Sequence, residues 1–206
     1  MPGRLGDVLK RFEEFTIPIW RKHAAAMELA GAASDGDRAF ARARDFMEAV
    51  VDSFGVTSAF WRVTNDERLV LEGIVESRTM MRIQMTVGQR IPALSGAMGR
   101  CFAASLNIGE DQLFQKFDSV RWQNRPDFSI FKAEVEVTRS RGWAVDRAQF
   151  IRGIVTVAAP VRDQNQQIRF MVANSSFYGQ IPDDRIQTLG VETRNAAEGI
   201  QKVLFG

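Results

Sequence analysis

Ser95, Gly96, Ala97 and Met98 stand where a short helix begins. The first amides of a helix have no acceptor within it and sit at the positive end of its dipole. Small side chains there let a ligand reach the backbone, and a carboxylate is a natural guest. The same residues also suit a tight loop-to-helix turn that needs small side chains for packing. From residue 77 to residue 109 there is no acid, while Arg78, Arg82, Arg90 and Arg100 are present. Such a stretch raises a positive potential that draws anions. Four solvated or structurally paired arginines are the favoured account, and none of the four is assigned as a ligand contact. Asp146 follows a short strand and has two roles open to it. One is to accept a hydrogen bond from a ligand; the other is to cap the turn at Arg147-Ala148.

The scarce residue types exclude whole classes of chemistry. The 206 residues contain one His, His23, and one Cys, Cys101. No disulfide can close within the chain, and no zinc site can be built from Cys and His alone. A Ser-His-Asp triad would need His23, and no G-x-S-x-G accompanies it. Neither a Walker A motif nor G-x-G-x-x-G occurs. No catalytic residue, metal or cofactor is therefore expected. His23 reads as a surface helix residue and Cys101 as a small buried hydrophobe. Lys and Arg total 27 against 25 Asp and Glu, a net charge of +2 that points only weakly to nucleic acid. No apolar run has the length of a membrane span or the form of a signal peptide. A soluble, cytoplasmic protein is expected.

The elements that must hold these residues follow from hydrophobic spacing. Residues 5–30 carry helical periodicity, which Pro18 should kink. Residues 31–37 read as a turn or flexible link. A second helix presents Phe40, Ala43, Met47, Val50, Val51 and Phe54 in one stripe and closes at Gly55. The period then changes. Residues 56–63, 69–75 and 79–87 read as three strands, and 88–92 as a loop. Short helices are expected over 97–105, 110–117 and 130–141, and a short strand over 143–145. Residues 154–161 and 168–175 make a hairpin, and a last helix begins at Pro182. Hairpin connections favour an antiparallel sheet with helices on one or both faces, an α+β fold of the GAF/PAS-like kind. The domain boundary is placed between a linker-helix region, 1–36, and a globular domain, 37–206.

Three segments make the chain more specific. They are Val87-Gly88-Gln89-Arg90-Ile91-Pro92 with the following Ser95-Gly96-Ala97-Met98-Gly99-Arg100, then Arg141-Gly142-Trp143-Ala144-Val145-Asp146 with Gly153 to Asp163, and Val172-Ala173-Asn174-Ser175-Ser176. Together they resemble the effector-binding domain of IclR-type transcriptional regulators over about residues 40–206. Gly3-Arg4-Leu5-Gly6 resembles the tail of that family's winged helix-turn-helix, which this chain lacks. Arg100 stands where the family has Lys, and an insert lies around residues 31–38. The resemblance implies a pocket lined by Met80, Ser95, Gly96, Ala97, Met98, Asp146, Ile154, Thr156, Ala173 and Ser175. Ile154 and Thr156 share one side of a strand, and Ala173 and Ser175 belong to its neighbour. The implied function is sensing a small organic carboxylate, aromatic ones being suited to the apolar walls. The implied assembly is a homodimer or dimer of dimers, with DNA contacted only through the missing domain. The alternative is a stand-alone GAF-like module that mediates protein association without a ligand.

Overall fold

The structure, a computed structural model, describes residues 35–206. The helix expected over 5–30, His23 and Gly3-Arg4-Leu5-Gly6 lie outside them. The described chain opens with α1 (Asp35–Phe54), so the link expected through residue 37 gives way to helix three residues early. Gly55 closes this helix in the left-handed region at φ 66°, donating its N–H to Val51 at 2.8 Å. Then come β1 (Thr57–Val63), β2 (Arg68–Val75) and β3 (Arg90–Pro92). Three helices follow: α2 (Gly96–Ser105), α3 (Glu110–Asp118) and α4 (Phe128–Arg141). The chain ends with β4 (Ala144–Arg147), β5 (Ile154–Arg162), β6 (Ile168–Phe177) and α5 (Asp183–Phe205). The six strands form one antiparallel sheet in the order β3-β2-β1-β6-β5-β4.

Successive strand residues point to opposite faces, so each strand feeds two cores. Phe60, Val155, Val157 and Val172 pack with Met47, Leu189 and Ile200 beneath α1 and α5. Ala59, Trp61, Ala158, Met171 and Ala173 pack with Met98, Phe117 and Phe131 beneath α2, α3 and α4. Helices therefore cover both faces, and the α+β expectation holds. The second face is where the candidate site lies, because its small residues (Ala59, Ala158 and Ala173) leave room between sheet and helix.

One strand was expected in the wrong place. Residues 79–87 alternate like a strand but form no ladder. β2 already pairs with β1 on one side and with β3, inside the expected loop, on the other. β3, rather than this segment, pairs with β2 at residues 68–70, and the segment bows out of the sheet. Leu71 fastens its far end, donating to Gln89 at 3.0 Å and accepting from Gly88 at 2.8 Å. Alternation reports which side chains want burial, not whether a partner strand is free.

Candidate functional site

α2 starts abruptly for a local reason. Gly96 takes φ 57°, a conformation costly for any residue with a Cβ. A Cβ on Gly99 would lie 1.9 Å from the carbonyl oxygen of Leu94, so the incoming chain must pass against bare backbone. The first helical bond runs from Gly99 N–H to Ser95 O at 2.8 Å. The amides of Gly96, Ala97 and Met98 precede it and have no place in the ladder. Ser95 occupies the N-cap, but its side chain caps nothing. Its Oγ is buried without a hydrogen-bond partner.

Ser95, Gly96, Ala97 and Met98 are among the residues that line a cavity of about 280 Å³. It is small beside the roughly 300–1,000 Å³ of sites for drug-sized ligands, which restricts it to a small guest. Its floor is the sheet, with Ala59 and Trp61 from β1, Ile154 and Thr156 from β5, and Ala173 and Ser175 from β6. Register explains the grouping: Thr156 pairs with Ser175, and Ala59 with Ala173. The Thr156 and Ser175 hydroxyls lie 3.0 Å apart. Each can still turn a lone pair or proton toward the cavity. Residues 79–87, displaced from the sheet, contribute the outer wall through Ile83, Gln84 and Met85.

Of the residues expected in the pocket, Ser95, Gly96, Ala97, Met98, Asp146, Ile154, Thr156, Ala173 and Ser175 all border this cavity. Met80 does not. It is 101% exposed, because the segment that carries it is not a strand and turns it to solvent. Trp61, Gln84, Met85 and Phe150 are among the lining residues that the sequence reading does not name. Alternation along β1 points to Trp61, since Trp61 shares a face with Ala59. Nothing local marks Gln84 or Met85, whose position depends on the edge filled by β3.

None of Arg78, Arg82, Arg90 and Arg100 borders the cavity. Arg78 is exposed. Arg82 pairs with Glu76 at 2.9 Å and Arg90 with Asp66 at 3.2 Å. Arg100 is fully buried behind the cavity wall. It reaches Asp146 at 3.3 Å, Glu134 of α4 at 2.7 Å and the Gly96 carbonyl at 2.8 Å, and also donates to Gln149. The rings of Phe131 and Trp122 flank it. Arg100 thus ties the first turn of α2 to β4 and α4.

Asp146 is correspondingly occupied. Its carboxylate accepts from the Gln149 amide at 3.0 Å and the Phe150 amide at 3.2 Å, besides Arg100. It caps the turn after β4 and also lines the cavity. Burial pushes its pKa up, an effect that Arg100 and the two amides oppose. The arrangement leaves the first α2 amides outside the helical ladder and Ser95 Oγ without a hydrogen-bond partner, with Arg100 offsetting Asp146 from behind. Among the described residues no group of His, Cys, Asp and Glu side chains is placed to hold a metal ion.

An antiparallel sheet with helices on both faces and a small walled cavity under one helix N-terminus defines an α+β domain shaped for a small guest. The chain belongs to the IclR family: the family model described as "Bacterial transcriptional regulator IclR C-terminal" matches residues 34–202. It is similar to the Pca regulon regulatory protein of Pseudomonas putida, 21% identical over 152 residues, or 70% of this chain and 51% of that protein. It is also similar to the HTH-type transcriptional repressor AllR of Escherichia coli K12, 23% identical over 69% of this chain and 54% of AllR. The chain thus spans about half the length of these relatives. Among solved structures, an IclR regulator from Alicyclobacillus acidocaldarius superposes with a TM-score of 0.72 at 21% identity, covering 87% of this chain and 73% of that one. Thermotoga maritima IclR gives 0.68 at 22%, covering 81% and 68%. The repressor BlcR of Agrobacterium tumefaciens gives 0.67 at 22%, covering 88% and 72%. Relatives of this kind are transcriptional regulators rather than enzymes. Among the described residues no helix is long and apolar enough to cross a membrane.

Proposed function

We propose that this chain is the effector-sensing domain of a transcriptional regulator, and that it binds a small organic carboxylate in the cavity beneath α2. The observation that carries this reading is Ser95 Oγ. It is a buried hydroxyl without a partner, beside three unladdered amides, in a residue that lines a cavity of about 280 Å³. A buried polar group left unpaired costs about 1–3 kcal/mol, which a bound anion would recover. The carboxylate sits on the amides of Gly96, Ala97 and Met98. Its carbon skeleton lies against Trp61, Ile154 and Met85, a wall that accommodates an aromatic ring as well as an aliphatic chain. The same cavity favours sensing over protein association alone.

In this reading DNA is contacted by the part of such regulators that lies beyond these 206 residues. Effector binding alters how the domains of a homodimer, or of a dimer of dimers, are spaced. That requires the ligand to bind two arrangements unequally. A thermal-shift screen of small aliphatic and aromatic carboxylates tests the proposal, with Ala97→Trp as the filled-cavity control. At least one acid should raise the melting temperature of the natural chain and leave Ala97→Trp unmoved. A screen without any response, or a response that survives Ala97→Trp, overturns the reading.

A further inference from the structure

α2 presents its first turn to the effector cavity and its later residues to a second hollow. This one has a volume of about 460 Å³ and lies between α2, the end of α4, β5 and α5. Cys101 and Ala104 of α2 form part of its lining. Its rim carries Arg139, Arg162, Arg194 and Lys202 against a single carboxylate, Glu198. The neutralisation of these cations is incomplete. Arg139 is paired with Glu136 at 2.6 Å. Arg194 makes a loose ion pair with Glu198 at 3.5 Å and donates from Nη1 to the Arg141 carbonyl at 3.3 Å, while its Nε is buried without a hydrogen-bond partner. Arg162 donates to the neutral carbonyl of Gln166 at 2.9 Å. Among the described residues neither Arg162 nor Lys202 forms an ion pair with a carboxylate.

A guanidinium such as that of Arg162, without a carboxylate partner in a partly desolvated hollow, is costly unless an anion joins it. Burial acts in this direction on Arg162, lowering its pKa from the ordinary guanidinium value. Arginine's planar fork binds oxyanions through two parallel hydrogen bonds, and Lys202 adds a point charge. We propose that this hollow is a second ligand site, which takes a small multivalent oxyanion, a phosphate compound or a di- or tricarboxylate. It is separate from the carboxylate cavity and does not depend on it. Three or more positive groups around one hollow select for two or more negative charges. A monocarboxylate would leave part of the charge unmet.

The test is a titration of the 206-residue chain with inorganic pyrophosphate and, separately, with citrate. Ionic strength is held constant with sodium chloride, and backbone amides are followed by proton–nitrogen NMR. Saturable shifts are expected at Arg162, Arg194 and Thr138, with Ser95 to Met98 unmoved. Response to only one probe supports the site and identifies the phosphate or the carboxylate class. Arg162→Gln should weaken binding about tenfold or more, the loss of one charge-assisted pair. Lys202→Gln, at an exposed position that does not threaten folding, should weaken it in the same direction. The proposal is overturned if neither probe gives saturable shifts, if the shifts persist undiminished in both variants, or if they fall at Ser95 to Met98. Ala97→Trp should leave this binding intact whether or not the effector cavity is used.

Discussion

Replacing Arg100 by Ala tests the structural basis of the site most directly. The side chain is fully buried and bonded to Asp146, Glu134, Gln149 and the Gly96 carbonyl. At the 3.3 Å separation from Asp146, an effective dielectric of about 20 gives a gross attraction of roughly 5 kcal/mol. Desolvation of both groups offsets much of that, so the pair itself adds little net stability. Removing one partner is a different matter, because Asp146 then remains buried with only two amides to hold its charge. The expected loss is about 3–5 kcal/mol at pH 7. Urea unfolding followed by tryptophan fluorescence measures it, provided the slope of the transition is unchanged. The pH dependence supplies a second check. The Arg100–Asp146 attraction exists only while Asp146 is ionised, so the deficit of Arg100→Ala must be greatest at neutral pH and shrink as acid protonates Asp146. Asp146→Asn in the Arg100→Ala background should recover part of the loss, since no buried charge is left behind. A single-variant loss below about 1 kcal/mol, or a deficit that grows toward acid pH, would refute the reasoning.

Other expectations follow from individual atoms. Cys101 donates its thiol to the Ala158 carbonyl at 3.3 Å, and burial pushes its pKa up to about 12. It should resist thiol reagents in the native protein at pH 8 and react on unfolding; prompt native reaction would contradict that burial. Because the folded pKa lies above the unfolded one, the associated stability is intact below about pH 9 and falls as pH rises toward 12. Gly99→Ala must displace the backbone at Leu94, so it should cost at least about 2 kcal/mol by denaturation and abolish any carboxylate response. Met80→Ala should change neither the unfolding midpoint nor the ligand response, and a lost response would mean that residues 79–87 fold over the cavity in the bound state.

Much of the site was legible because it depends on local rules. The helix start at Ser95 to Met98 is marked by small residues and a serine at the N-cap position. Alternation puts Ile154 beside Thr156 and Ala173 beside Ser175, and the hairpin between β5 and β6 brings the pairs together. The scarcity of His and Cys excludes a zinc site of Cys and His alone and confines any Ser-His-Asp triad to His23. Met80 failed because strand periodicity carries no information about which sheet edge is vacant. Once β3 takes the free side of β2, the preceding segment leaves the sheet, turning Met80 outward and Met85 inward. Arg100 shows the same limit. Its charge was visible, but its three acidic and amide partners lie 34, 46 and 49 residues away in sequence. The residue types and their spacing decided the elements and the chemistry on offer. Only tertiary structure decided that Arg100 would be spent within the protein and that the α2 amides would remain open, because long-range pairing determines which polar groups are already satisfied.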